Sequence, residues 1–252
     1  MNKTVFITGA TSGIGKASAE IFGNNNYKLI ICGRREDRLK ELKEQLRAKT
    51  EVEYLVFDVR DRDEVFKQIE SLPENFKSVD ILINNAGNAH GLDTIDEGNL
   101  DDWDAMIDIN VKGLLYVSRA IIPGMVQRRS GHIINIGSVA GKEVYVKGSV
   151  YCASKFAVDA ITTGMRVDLN AHGIKVSEVN PGAVDTEFSA VRFKGDQQKA
   201  DKVYDGFKPL VAQDIAEIIY FVASRPAHVN MADTLIFPLA QASASLIHRS
   251  GN

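Results

Sequence analysis

Short apolar runs rich in Val, Ile and Phe recur at positions 3–8, 27–32, 52–57, 80–84, 132–136, 175–179 and 234–237. They read as about seven buried strands. Helix-period stretches lie between them: over 38–46, Leu39, Leu42 and Leu46 fall on one face and charged residues on the other. Strands alternating with helices predict an α/β fold, a Rossmann-like doubly wound parallel sheet. No repeat, low-complexity tract or Pro/Gly linker interrupts the alternation before Thr186, so one domain spanning 1–252 is expected. The polar, Lys/Asp/Gln-rich segment 187–206 follows a strand and predicts a flap or short helical excursion lying over the site as a lid.

Composition narrows the function classes. With 44% hydrophobic and 25% charged residues, the chain matches an ordinary packed protein. A net charge of -3, from 30 basic and 33 acidic residues spread along the chain, gives no electrostatic reason to expect nucleic acid. The first residues enter an apolar strand at once, which argues against a secretory leader. No apolar run approaches the roughly 20 residues that cross a bilayer, so no membrane partner is expected. Cys32 and Cys152 are too few for a disulfide framework, and the expected location is a reducing cytoplasm. No metal is called for.

The stretch Thr8-Gly9-Ala10-Thr11-Ser12-Gly13-Ile14-Gly15 follows the first strand and opens a helix, where a dinucleotide pyrophosphate would meet free backbone N–H groups. Its Gly-x-x-x-Gly-x-Gly spacing departs from the common Gly-x-Gly-x-x-Gly, and a plain turn remains an alternative. About 20 residues further on, where an NAD-binding fold usually carries Asp or Glu, the chain has Arg34-Arg35. Two guanidiniums at a helix start oppose the helix dipole and suit a bound 2′-phosphate, so NADP is favoured. The alternative is a solvated charged face shared with Glu36 and Asp37. Asp58 and Val59 after the third strand are placed to meet adenine, and Asn85, Ala86 and Gly87 close the fourth strand, either facing the cofactor or making a turn.

Tyr151 and Lys155 lie four apart in a helical stretch and share a face. Bringing a tyrosine from about pH 10 to about 7 takes roughly 4 kcal/mol, which one ammonium about 4 Å away supplies at an effective dielectric near 20. Ser138 ends the fifth strand, where its hydroxyl is placed to hold a substrate oxygen beside the phenol. Asn110 sits in the helical stretch 104–119, a poor site for asparagine unless its amide has a task such as holding a proton-relay water. Taken singly, each of these residues also has a structural reading.

Together the motifs resemble the short-chain dehydrogenase/reductase family over essentially the full length. The matching parts are the glycine loop, Asn84-Asn85-Ala86-Gly87, the set Asn110, Ser138, Tyr151 and Lys155, and Pro181-Gly182 followed by Thr186. The resemblance implies Tyr151 as acid/base, Lys155 lowering its pKa and binding the nicotinamide ribose, Ser138 positioning the carbonyl and Asn110 supporting a relay. It also implies that Pro181, Gly182, Val184 and Thr186 cover the nicotinamide, and that the protein is a homotetramer. More narrowly, 187–195 and 232–238 resemble the branch of NADP-dependent 3-hydroxy acid dehydrogenases, whose members oxidise serine, allo-threonine and 3-hydroxy acids.

Arg192, on the expected lid, is a fitting cation for a substrate carboxylate, against a solvent-facing charge on a mobile loop. The same catalytic set would also serve reduction of a 3-oxoacyl thioester or a ketone, because it acts on the carbonyl alone. A non-catalytic NADP sensor would not need the acid/base set, and a nucleotide-sugar epimerase would need a further lobe. His90 and Lys147 are placed to line the pocket without an assigned role. The apolar tail 239–248 is expected to pack against a neighbouring subunit.

Overall fold

The computed structural model describes residues 2–250. The chain runs β1 (Thr4–Thr8), α1 (Gly13–Asn24), β2 (Lys28–Gly33), α2 (Glu36–Leu46), β3 (Val52–Val56), α3 (Arg62–Glu70), β4 (Ile81–Asn84), α4 (Leu100–Ile107), α5 (Leu114–Arg128) and β5 (Gly131–Ile136). It continues with α6 (Ser149–Leu169), β6 (Ile174–Pro181), β7 (Val184–Asp185), α7 (Glu187–Arg192), α8 (Gln197–Lys202), β8 (Leu210–Val211), α9 (Ala212–Ala223) and β9 (Asp233–Ile236).

Seven strands form one parallel sheet in the order β3-β2-β1-β4-β5-β6-β9, and β7 pairs with β8 in a separate two-stranded ribbon. Helices cover both faces, which is why the strands are apolar throughout and do not alternate. Val5, Ile7, Leu29, Ile31, Ile83 and Val179 pack against α1, α2 and α9 on one side. Phe6, Ile30, Leu82, Ile133 and Val176 pack against α3, α5 and the end of α6 on the other. Leu39, Leu42 and Leu46 are the buried residues of α2, as their spacing predicts.

The chain order reverses between β1 and β4, and the crevice beyond the carboxyl ends of the strands is where an open α/β sheet takes a ligand. Two departures from the sequence reading bear on that crevice. The stretch 104–119 is not one regular helix: α4 passes into α5 through a π-helical turn, Asp108–Gly113, which carries Asn110. The strand expected at 175–179 extends to Pro181, because Asn180 and Pro181 pair with Leu235 and Ile236 of β9.

The excursion after Thr186 consists of α7 and α8, with Gly195 in the left-handed region between them. The tail folds back through an antiparallel bridge between Gln241 and Ile247 and leaves Leu239 and Leu246 exposed. Arg249 donates to the carbonyls of Val203 and Asp205, so the tail reaches the far end of this excursion.

Candidate active site

A cleft of about 330 Å³ runs along the carboxyl edge of the sheet. It is lined by Gly9, Thr11, Ser12, Gly13, Ile14, Arg34, Arg35, Asp58, Val59, Asn85, Ala86, Gly87, Ser138, Tyr151, Lys155, Pro181, Gly182, Val184 and Thr186, all nominated from the sequence. Three nominated residues do not line it. Gly15 lies beneath the loop, where an added Cβ would run into the Gly9 carbonyl oxygen, so its task is to let α1 pack tightly on the glycine turn. Asn110 is buried behind Asn88, and Arg192 lines an adjoining pocket with His90, Lys147 and Tyr151.

The end of β4 braces the glycine loop. Asn85 donates its side-chain amide to the carbonyls of Thr8 (2.9 Å) and Gly9 (3.2 Å), and its backbone N–H donates to Thr8 Oγ1 (2.9 Å). Asn84 points into the core and donates to Ser118 and Asn135. The motif is therefore more than a turn: one asparagine fixes the loop and the other ties β4 to β5 and α5.

At one end of the cleft, Arg35 turns its guanidinium onto the loop. Nε and Nη2 donate to Thr11 Oγ1 (3.2 and 2.8 Å), and Nη2 also reaches Ser12 Oγ (2.9 Å). Arg34 is more exposed and leans toward Asp58 at 3.7 Å. Both Asp58 oxygens are engaged by Arg60, which offers a bidentate guanidinium and a backbone N–H. Although partial burial pushes the other way, the Arg60 bonds keep this carboxyl below the usual carboxylate range. Sequence reasoning missed Arg38 and Glu187. The Glu187 carboxylate accepts from Arg35 Nη1 (2.9 Å) and Arg38 Nη1 (2.6 Å). Arg38 was within reach of a periodicity argument, since it lies one helical turn beyond the arginine pair.

At the other end, Tyr151 is buried, and Ser138 lines the same cleft with its hydroxyl accepting from the Ala140 N–H at 3.1 Å. Lys155, one turn along α6, donates to the Ile136 carbonyl at 2.9 Å. Burial lowers its ammonium to about 8, against an upward pull from Glu178. Burial pushes the phenol up, with Tyr145 adding to this and Ser138 and Arg192 opposing it. The Lys155 ammonium is committed to the strand-end carbonyl.

Arg192 stands over the phenol. Its guanidinium lies 5.7 Å from the Tyr151 ring centroid and 5.6 Å from that of Tyr145, and it donates to Tyr145 Oη and the Gly91 carbonyl, each at 3.0 Å. The Gly91 N–H returns a bond to the Arg192 carbonyl at 3.0 Å, clasping α7 to the loop after β4. Asn110 accepts from the Asn88 N–H (2.9 Å) and donates to the Asn88 carbonyl (2.8 Å) and Ser154 Oγ (3.0 Å). Its amide is committed to protein groups, with Gly87 and Lys155 Nζ close by.

Behind Ser138 lies a polar cluster that the sequence did not reveal. The Ser138 N–H donates to Asn180 Oδ1 (2.8 Å), and Asn180 donates to Asp233 Oδ1 (2.7 Å). Lys142 lies between Asp159, Asp233 and the buried Glu178, 3.7 Å from the last. Glu178 Oε1 has no partner and faces Gly137, where no Cβ would fit. Burial and the neighbouring Asp159 raise this carboxyl to about 7 against the opposing charge of Lys142.

A family model described as short chain dehydrogenase matches residues 3–197. The chain belongs to the short-chain dehydrogenase family. It is accordingly an oxidoreductase. The NADP-dependent 3-hydroxy acid dehydrogenase of Schizosaccharomyces pombe is 46% identical over 250 residues, covering 98% of this chain and 96% of its own. Sulfoacetaldehyde reductase 2 of Chromohalobacter salexigens is 44% identical, covering 96% of each chain. Among solved structures, the closed form of serine dehydrogenase complexed with NADP+ superposes with a TM-score of 0.92 at 42% identity, covering 98% of this chain and 100% of that one.

Proposed function

We propose that this short-chain dehydrogenase moves a hydride between NADP(H) and a small 3-hydroxy acid, such as serine, allo-threonine or 3-hydroxyisobutyrate. The observation that carries the substrate class is the guanidinium of Arg192 held beside the phenol of Tyr151. A substrate whose hydroxyl meets Tyr151 and whose carboxylate meets Arg192 satisfies both groups at once. The dehydrogenase from Schizosaccharomyces pombe and the serine dehydrogenase structure support the same reading.

The cleft fits the cofactor by its donors. Gly9, Thr11, Ser12, Gly13 and Ile14 present backbone at the start of α1 to the pyrophosphate, with Gly9 and Gly13 both at positive φ. Arg35, joined by Arg38, and the more exposed Arg34 suit the 2′-phosphate. Asp58 and Val59 border the adenine end, Asn85 to Gly87 the middle, and Pro181, Gly182, Val184 and Thr186 the nicotinamide end. Bound NADP supplies the hydride acceptor.

Tyr151 accepts the hydroxyl proton in oxidation and returns it to the carbonyl oxygen in reduction. Ser138, which lines the same cleft as the phenol, holds that oxygen. Lys155 binds the nicotinamide ribose and places positive charge on the proton's path. Asn110 is a positioning residue that fixes Asn88 and Ser154, and Ser154 in turn donates to the Tyr151 carbonyl.

A sulfonate-bearing aldehyde is a second reading, because Arg192 accepts a sulfonate as it does a carboxylate and one relative is a sulfoacetaldehyde reductase. Steady-state absorbance of NADPH separates the two: serine, allo-threonine, 3-hydroxyisobutyrate and sulfoacetaldehyde are each offered with NADP(H) or NAD(H). Arg192→Ala should lower kcat/KM for the preferred anionic substrate by about a hundredfold, equivalent to roughly 3 kcal/mol for a lost charge-assisted pair. Unchanged kcat/KM in that variant would remove Arg192 from substrate binding.

We further propose a homotetramer in the cytoplasm, where a reducing environment keeps Cys32 and Cys152 as thiols. Val144, Val146, Val167, Leu239 and Leu246 leave apolar surface in water that a partner subunit would cover. Light scattering at micromolar protein should give four times the chain mass, and a monomer would contradict it.

A further inference from the structure

Glu187 is the first residue of α7, and its carboxylate lies on the two arginines at the adenosine end of the cleft. The contact joins residues 152 and 149 positions apart in sequence, so it ties the excursion after β7 to the glycine loop and α2. The other donors of Arg35 are already spent on Thr11 and Ser12, and Arg38 Nη1 also faces the Thr11 carbonyl at 3.4 Å. Two of the guanidinium nitrogens there, Arg35 Nη1 and Arg38 Nη1, are held by Glu187. Partial burial pushes the Glu187 carboxyl up, but the bonds and charges of Arg35 and Arg38 prevail and keep it ionised.

Resting on the NADP reading, we propose that Glu187 is an internal anion seated where the 2′-phosphate of the cofactor must sit, and that the phosphate displaces it. Two guanidiniums neutralised by one carboxylate retain one net positive charge, whereas a phosphate monoester brings roughly two negative charges to the same donors. A nucleotide with that phosphate therefore outcompetes Glu187, and one without it leaves the latch closed. Displacement also detaches the first turn of α7 from the loop. Glu187 thus sets part of the phosphate's binding free energy against its own displacement, and links recognition of the phosphate to loosening of the first turn of α7.

Calorimetric titration with 2′,5′-ADP and 5′-AMP tests this without turnover. The unaltered protein should prefer 2′,5′-ADP. Glu187→Gln should bind 2′,5′-ADP about fivefold more tightly and 5′-AMP as before, with the gain shrinking at high ionic strength. In hydrogen exchange, 2′,5′-ADP but not 5′-AMP should speed exchange in the first turn of α7. Equal binding of the two nucleotides by the unaltered protein would overturn the NADP reading and this inference together. A retained preference for 2′,5′-ADP with no change in Glu187→Gln would overturn the inference alone.

Discussion

Tyr151→Phe should reduce turnover about a thousandfold, within the range that general acid–base groups contribute, while the dissociation constant for NADPH stays within about twofold of the unaltered value. The substitution removes one oxygen and keeps the ring, which packs edge-on to Phe188 with centroids 5.8 Å apart. The expected cost in stability is small, about 1 kcal/mol for the polar contacts of one hydroxyl. Stopped-flow transfer with NADPH fluorescence as a separate binding readout distinguishes the two effects. Retained turnover would show that the proton travels by another group, and lost NADPH binding would show that the phenol is chiefly part of the cofactor cradle.

Glu178→Gln should stabilise the protein at alkaline pH and have little effect in acid. The folded chain holds the Glu178 proton more tightly than the unfolded chain, with the carboxyl at about 7 against an ordinary 4.5. Stability from that proton is complete below about 4.5 and is lost as pH rises through about 7. Lys142 lessens the loss, while Asp159 from α6 and Asp233 from β9 add to it. A glutamine is neutral throughout and keeps a donor for Asp159, so it should gain about 2 to 3 kcal/mol on the unaltered protein between pH 5 and 8. Urea unfolding of both proteins at the two pH values measures this, and a gap that does not change with pH would contradict it.

The parts of this protein that rest on local pattern were legible in the sequence. Two-sided burial makes each strand a continuous apolar run, so the seven strands of the sheet could be placed within a few residues. Tyr151 and Lys155 share a helix face because they are four apart, and the glycine loop stands out because it joins a strand to a helix. The pairings made only by folding were not legible. Glu187 meets Arg35 and Arg38 across some 150 positions, and nothing local marks Glu178 as the carboxyl whose Oε1 is left without a partner behind Gly137. The π-helical turn at Asn110 was also hidden, since a one-residue widening barely disturbs the hydrophobic period. Spacing also does not fix where Lys155 points, and its ammonium meets the Ile136 carbonyl.

The clasp between Arg192 and Gly91 divides the molecule's labour in a way that bears on its descent. Phenol and ammonium ride on the 21-residue α6, anchored on the sheet, whereas the cation facing them belongs to the six-residue α7. On the proposed roles of these residues, drift within α7 and the loop it grips would redraw the range of accepted molecules and leave the proton path untouched. A lineage with this layout changes diet cheaply, so close cousins are expected to differ in what they consume before they differ in how they react with it.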